Sequence, residues 1–191
     1  VKQELEEKLY SKYPKLFKQS NLPMTQTSMC WGCENGDGWY ELIDKMCFSI
    51  QTHIEQTRKS IAHIKMHNRV LKQAKNGNST NLKYRLKKLG VDPYKIDNMI
   101  SIDIKTGKDI ECNLQTPKQP YFVQIKEKFG SLRVYANNLD EYSSGVIRMA
   151  ENMSAMICED CGNPGNKYGG TPNNGWIRVR CESCEANRFK K

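Results

Sequence analysis

The chain has no apolar run approaching the roughly 20 residues that a membrane-spanning helix needs. Its first residues, Val1-Lys-Gln-Glu-Leu-Glu-Glu-Lys-Leu9, alternate charge with leucine and lack the apolar stretch of a signal peptide. Together these absences predict a soluble protein that stays in the compartment where it is made. The common catalytic motifs are missing too. There is no Gly-rich phosphate loop ending in Lys-Ser/Thr, no Gly-x-Ser-x-Gly, and no His-x-Glu paired with Cys-x-x-Cys as in deaminases. Histidine is scarce: His53, His63 and His67 complete the set. His63 and His67 are four apart, but the position after His63, where a metalloprotease helix needs its glutamate base, holds Ile64. The carboxylates are scattered, with no argued acid–base pair. A nuclease of unfamiliar design would have Asp37, Asp103 and Glu127 as its metal triad, although loops, strand alternation and turns account for them without chemistry. The expectation is a protein that is not an enzyme.

Acidic residues are also missing, from one particular stretch. Between Arg58 and Gly90 there are ten basic residues and no aspartate or glutamate. That segment alone outweighs the formal net charge of +9, leaving the remainder nearly neutral. Solvated helix faces usually mix signs to limit self-repulsion, so an uncompensated basic stretch points to a polyanionic partner. Lys65, Arg69, Lys72, Lys83, Arg85 and Lys87 are its candidate contacts. A second basic cluster near the carboxyl end includes Lys167, Arg178, Arg180, Arg188, Lys190 and Lys191. Tyr168 and Trp176 lie among them. Such aromatics can stack on exposed bases or fill a small core.

Eight cysteines stand among the 191 residues. Cys158-x-x-Cys161 and Cys181-x-x-Cys184 have the paired spacing in which two tight turns aim four sulfurs at one zinc ion. Gly162 follows the first pair and is free to take the positive φ that turns backbone amides toward the sulfurs. Four thiolates fill zinc's coordination sphere, so the predicted site is structural and leaves no open position for catalysis. Occupied, it would lower the net charge to about +7. Cys30-x-x-Cys33 admits three readings: half of a second metal site completed by Cys47 and His53, a redox pair, or packed thiols.

Periodicity predicts an α+β protein. Helix is expected over residues 1–19, broken at Pro14, and loop over 20–38. A long helix should run from Trp39 to Lys75, without Gly or Pro. Ile50, Ile54, Thr57, Ile61, Ile64, Asn68 and Leu71 form its coiled-coil-like seam, which could pair within the chain or between copies. A shorter helix, capped by Ser79 or Thr80, buries Leu82, Leu86 and Leu89 and folds back on the first as a basic hairpin spanning about 39–90. Ile100, Ile102 and Ile104, then Ile110, Cys112 and Leu114, alternate as strands about a turn at Thr106-Gly-Lys. A second hairpin sets Val123 and Ile125 opposite Leu132 and Val134. A final helix, capped by Asn138, turns Leu139, Tyr142, Val146, Met149, Met153 and Met156 to one face. The architecture is thus a long helical hairpin and a terminal helix around a small antiparallel sheet. The domain division is 1–156 for this body and 157–191 for an appended zinc ribbon or knuckle.

Three stretches together carry a resemblance: Gly36-Asp-Gly-Trp-Tyr40, then Gln124-Ile-Lys-Glu-Lys-Phe-Gly-Ser-Leu-Arg-Val-Tyr135, then Cys158-Glu-Asp-Cys-Gly162 with Gly175-Trp176 and Cys181. They resemble small uncharacterised proteins, containing a zinc ribbon, encoded by tailed bacteriophages and prophages. Against shorter members the stretch from about Arg58 to Ile96 is an expansion. The resemblance implies expression in the cytoplasm of an infected bacterial cell and an accessory, non-virion role. It implies no defined activity. The functional expectation is a non-enzymatic protein that binds nucleic acid, or an acidic or nucleic-acid-containing host complex, as a regulator or an inhibitor of host defence. A protein-interaction inhibitor or structural subunit acting through the long helix is the alternative.

Overall fold

The computed structural model describes residues 1–169 and 175–187. Their contacts divide the chain into two compact units, one formed by 1–54 with 117–191 and the other by 55–116. Among the described residues no helix is long and apolar enough to cross a membrane.

The first unit begins with α1 (Gln3–Lys12), which buries Leu9. The chain then passes through the buried Tyr13, Leu16 and Phe17 to a two-residue strand, β1 (Cys33–Glu34). A single 3₁₀ turn over Asp37–Trp39 leads into α2 (Tyr40–Lys75). This helix belongs to the first unit as far as Ile54. Strands β2 (Tyr121–Glu127) and β3 (Leu132–Asn137) form the expected hairpin, with Ile125 paired to Val134. The sheet has the order β1-β2-β3 and is mixed rather than antiparallel, because Cys33 pairs with Ile125 in parallel. Phe17, Trp39, Ile43, Ile50, Phe122, Ile125, Leu132 and Ile147 make the core.

Two details of this unit correct the sequence expectations. Helix α5 (Glu141–Ser154) is capped by Asp140, whose carboxylate accepts from Ser143 N at 2.8 Å; Asn138 instead takes a left-handed turn, φ 60°. The face of α5 that turns inward carries Ser143, Ile147, Ala150 and Ser154. Tyr142, Met149, Met153 and Met156, grouped on one face by their spacing, are exposed. Ser154 explains part of that choice: its hydroxyl accepts from Leu132 N at 2.8 Å and donates to Glu151 O, satisfying a buried amide at the start of β3.

The β2–β3 connection is a tight turn in which Lys128 N donates to Ser131 O (2.8 Å) and Ser131 N to Lys128 O. Both central residues have positive φ, Phe129 at 56° and Gly130 at 71°. This is the type I′ pattern that matches strand twist and ordinarily selects Asn-Gly. A phenylalanine there costs about 1–2 kcal/mol, since its Cβ crowds the following carbonyl.

The second unit is helical throughout its regular part. The end of α2 packs against α3 (Thr80–Lys88) and α4 (Pro93–Thr106). Val70, Ala74, Leu82, Leu86, Ile96 and Ile100 form a separate small core. Leu82 and Leu86 are buried as expected, while Leu89 lies outside, 70% exposed. The strand expected at Ile100, Ile102 and Ile104 is the body of α4. Ile96, Ile100 and Ile104 are spaced by four, which serves a helix, and Ile102 is exposed. Asp92 caps this helix by accepting from Tyr94 N (3.0 Å), with Pro93 in its first turn, where a missing N–H costs nothing. The partner strand expected at 110–114 is not regular structure either. Asn68 holds this segment in place: its side-chain nitrogen donates to Ile110 O and its oxygen accepts from Ile110 N, each at 2.9 Å. Of the expected α2 seam, Ile50, Ile54, Ile61 and Leu71 are buried and Thr57, Ile64 and Asn68 half-buried, so it is covered within the chain itself.

Candidate metal centre and basic helices

Two turns bring the four carboxyl-terminal cysteines together. In the first, Gly162 N donates to Cys158 O (2.9 Å) and Cys158 N to Asn163 O (2.7 Å), with Gly162 at φ 81° closing the loop. Strands β4 (Asn166–Tyr168) and β5 (Arg178–Arg180) pair antiparallel and deliver the chain to Cys181. A short helix, α6 (Glu182–Asn187), follows and carries Cys184, its start fixed by Glu185 N donating to Cys181 O at 3.0 Å. All four sulfurs lie within 4.8 Å of one another, and those of Cys161 and Cys181 are 3.6 Å apart. A tetrahedron with zinc–sulfur bonds of about 2.3 Å has edges of about 3.8 Å, so this donor set fits a tetrathiolate ion. Among the described residues it is the one group of three or more His, Cys, Asp or Glu with metal-binding spacing.

The sulfurs lie close enough to perturb one another. Cys181 is pushed down to about 6 by the Ser183 hydroxyl and the Cys184 backbone N–H, while Cys184 is pushed up by the sulfurs of Cys181 and Cys161.

The first turn rests on the Gly-Asp-Gly-Trp segment. Gly38 N donates to Glu159 O (2.7 Å), Gly36 N to the Glu159 carboxylate (2.9 Å), and Trp39 Nε1 to Ile157 O (2.8 Å). No side chain fits at Gly38: a Cβ there would fall on the Cys158 carbonyl oxygen and lie 2.7 Å from Cys161 N. The part this segment plays as the seat of the first Cys-x-x-Cys turn has no signal in sequence spacing. Glu159 is buried, which raises its carboxyl above the ordinary range despite the Gly36 N–H.

Arg180 joins the two turns. Its Nε lies 2.9 Å from Asp160 Oδ2, inside the first Cys-x-x-Cys, and its Nη1 donates to Glu185 on α6 at 3.3 Å. Expected as a phosphate contact, Arg180 is an internal clamp with its side chain 11% exposed. Arg178 is half-buried on β5. Arg188, Lys190 and Lys191 lie outside the described residues.

The other cysteines do not assemble with these. Cys33 and Cys47 are buried and their thiols are raised by that burial, Cys33 to about 12. Cys30 donates to Thr27 O. His53, the remaining candidate ligand of a second site, stacks on Tyr142 and hydrogen-bonds Asp140 at 2.9 Å. No disulfide joins Cys30 and Cys33, and both are packed as free thiols. Two of the three carboxylates of the nuclease alternative have structural partners. Asp37 accepts from Lys2 N and pairs with Lys2 Nζ, and Glu127 accepts from Gly130 N and Trp176 Nε1. Asp103 lies on α4, in the other unit, where its carbonyl accepts from Gly107 N.

In the second unit Lys59, Lys65, Arg69, Lys72, Lys87 and Lys88 are exposed on α2 and α3. Lys83 pairs with Asp97 of α4 at 2.8 Å, and Arg85 reaches His63 and His67 at 2.6 and 3.2 Å. An arginine cannot accept a hydrogen bond, so both imidazoles face it with their unprotonated nitrogens. The unit as a whole holds thirteen basic and six acidic residues, and so carries seven of the chain's nine net positive charges.

No family model matches this chain, and neither the curated proteins nor the solved structures include a match to it.

Proposed function

We propose that this is a non-enzymatic nucleic-acid-binding protein, stabilised by a zinc ribbon, whose contact surface is the basic stretch of α2 and α3. The observation that carries the reading is the concentration of charge in residues 55–116, with exposed Lys65, Arg69, Lys72 and Lys87 along a stretch free of acidic residues. Cationic side chains held on helices release counterions when they meet phosphates, which gives affinity without sequence dependence. The burial of the α2 seam supports this reading over the alternative in which that seam captures a partner helix. In the setting that the sequence resemblance implies, the target would be DNA, RNA or a nucleic-acid-containing complex of an infected bacterial cell.

The zinc ribbon serves structure. Cys158, Cys161, Cys181 and Cys184 would hold the ion with no vacant position, so its contribution is to fold residues 157–187 rather than to activate water. The test is the salt dependence of binding to a fluorescent oligonucleotide between about 50 and 200 mM monovalent salt. Affinity should fall steeply, and a Lys65→Ala/Arg69→Ala/Lys72→Ala variant should bind more weakly with a log–log slope shallower by up to about 3. A variant that binds DNA and RNA as well as the parent would overturn the proposal.

A further inference from the structure

The strained β2–β3 turn holds a feature that the basic helices do not explain. Phe129 occupies a left-handed position where asparagine would be at ease, yet its ring is 65% exposed and contributes nothing to the core. Beside it, Trp176 is 60% exposed, but its indole is not loose: Nε1 donates to Glu127 Oε2 at 3.0 Å. The other oxygen of Glu127 accepts from Gly130 N at 2.7 Å, so one carboxylate fixes both the turn and the indole. Gly130 leaves no spare room, since a Cβ there would lie 2.9 Å from Ile177, the neighbour of Trp176. Phe129 and Trp176 thereby line a cleft of about 420 Å³, with Ile177 in its lining and Lys126 and Lys128 at its edge. The Lys128 ammonium lies 5.3 Å from the Phe129 ring centroid. Two exposed aromatic rings, one held by a hydrogen bond and the other by a costly turn, form a stacking cleft. The lysines beside it supply the charge that a phosphate backbone requires.

We infer that this cleft receives an unpaired nucleobase, making the protein a binder of single-stranded nucleic acid as well as of duplex. The inference rests on the nucleic-acid reading above and adds to it a ligand class and a second place of contact. Bases in a duplex are stacked on each other and cannot enter, whereas every unpaired base offers a π-face regardless of sequence. Lys126 and Lys128 meet the flanking phosphates, and Glu127 acts as a positioning residue with both oxygens already engaged.

The experiment compares four probes of equal length: single-stranded DNA, single-stranded RNA, duplex DNA, and a single strand with abasic sites at its centre. Phe129→Asn removes the ring while relieving the turn, so the melting temperature should hold or rise. Trp176→Ala removes the other wall. Each variant should bind the base-bearing single strands roughly tenfold to a hundredfold more weakly, the loss expected for one stacked base. Duplex and abasic affinities should change less than about threefold on the same scale, and Phe129→Trp should restore single-strand binding. If folded Phe129→Asn protein binds single strands as the parent does, the cleft proposal fails while the basic-helix reading stands. If the Lys65/Arg69/Lys72 variant binds every probe as tightly as the parent while Phe129→Asn loses single strands, the reverse holds. A parent protein that binds none of the four probes overturns both.

Discussion

Gly38 shows how much of the candidate metal centre depends on a residue that offers no ligand atom. Its hydrogen takes the space that any side chain would need beside the Cys158 carbonyl and the Cys161 amide. Gly38→Ala must therefore push the first Cys-x-x-Cys turn off its seat and lengthen the 2.7 Å bond from Gly38 N to Glu159 O. The expected cost is about 1–3 kcal/mol, as for an overpacked interior, with faster loss of zinc to a colorimetric chelator. Equal chelation rates for parent and variant would show that the seat and the metal turn are independent. Asp140 gives a prediction with a pH sign. Burial raises its carboxyl, but the hydrogen bonds from Ser143 and His53 outweigh that and hold it below the ordinary 3.8. A carboxyl lowered in the folded state contributes stability above its unfolded value and loses it as pH falls through the folded one. Asp140→Ala should thus cost about 1–2 kcal/mol near neutrality through the lost cap. The gap between parent and variant in denaturant titrations should narrow below pH 3.8. A gap that is constant down to acid would mean that the charge of Asp140 plays no part.

At the scale of elements, what the sequence revealed depended on whether one period competed with another. The β2–β3 hairpin was readable because Ile125, Leu132 and Val134 alternate and no four-residue spacing rivals them. The cysteine pairs were readable because their chemistry fixes their spacing. Helix α4 was misread because isoleucine stands at 96, 100, 102 and 104, which satisfies a period of two over five residues and a period near four over nine. The deciding signal was Asp92-Pro93, a cap followed by the one helical position that suits proline, at the head of the longer pattern. Helix α5 was readable as a helix, but which of its faces turns inward was not. The methionines spaced along it look like a core stripe, but a buried amide at Leu132 required a hydroxyl, and Ser154 supplies it from the opposite face. Nothing in the spacing of α5 announces a hydrogen bond made to another element. If α4 is the helix described, Ile100→Ala should cost about 2–4 kcal/mol and Ile102→Ala less than about 1. Strand alternation, which puts both residues on one face, would make the two costs alike. Chemical denaturation of the two variants decides between them.

For the whole molecule the consequence of the two-unit division is that the concentrated charge and the four-cysteine cluster fall in different units. Residues 55–116 carry most of the net positive charge and have their own core of Val70, Leu82, Leu86, Ile96 and Ile100. The four cysteines belong to the other unit, where the turn at Cys158 is bonded to the segment that starts α2 and Arg180 ties Asp160 to Glu185. Without an ion, four sulfurs within 4.8 Å must share protons or repel as thiolates, and the turn is left to its hydrogen bonds with Trp39, Gly36, Gly38 and Val179 and to the Arg180–Asp160 pair. Stripping the metal should therefore loosen the first unit and leave the helices of the second formed. In hydrogen exchange, a chelator should speed the amides of Cys158, Gly162 and Glu185 and those of β5. The amides of Val70, Leu86 and Ile100 should move far less, because their protection comes from a core that contains no cysteine. Cys158→Ser should reproduce the chelated pattern more fully than Cys161→Ser, since the first sulfur is buried and the second exposed. Uniform loss of protection across both units would mean that they fold as one cooperative body. Stoichiometric zinc that leaves without any change in exchange would mean that the ion is a passenger, and the structural role assigned to the four thiolates would fall with it.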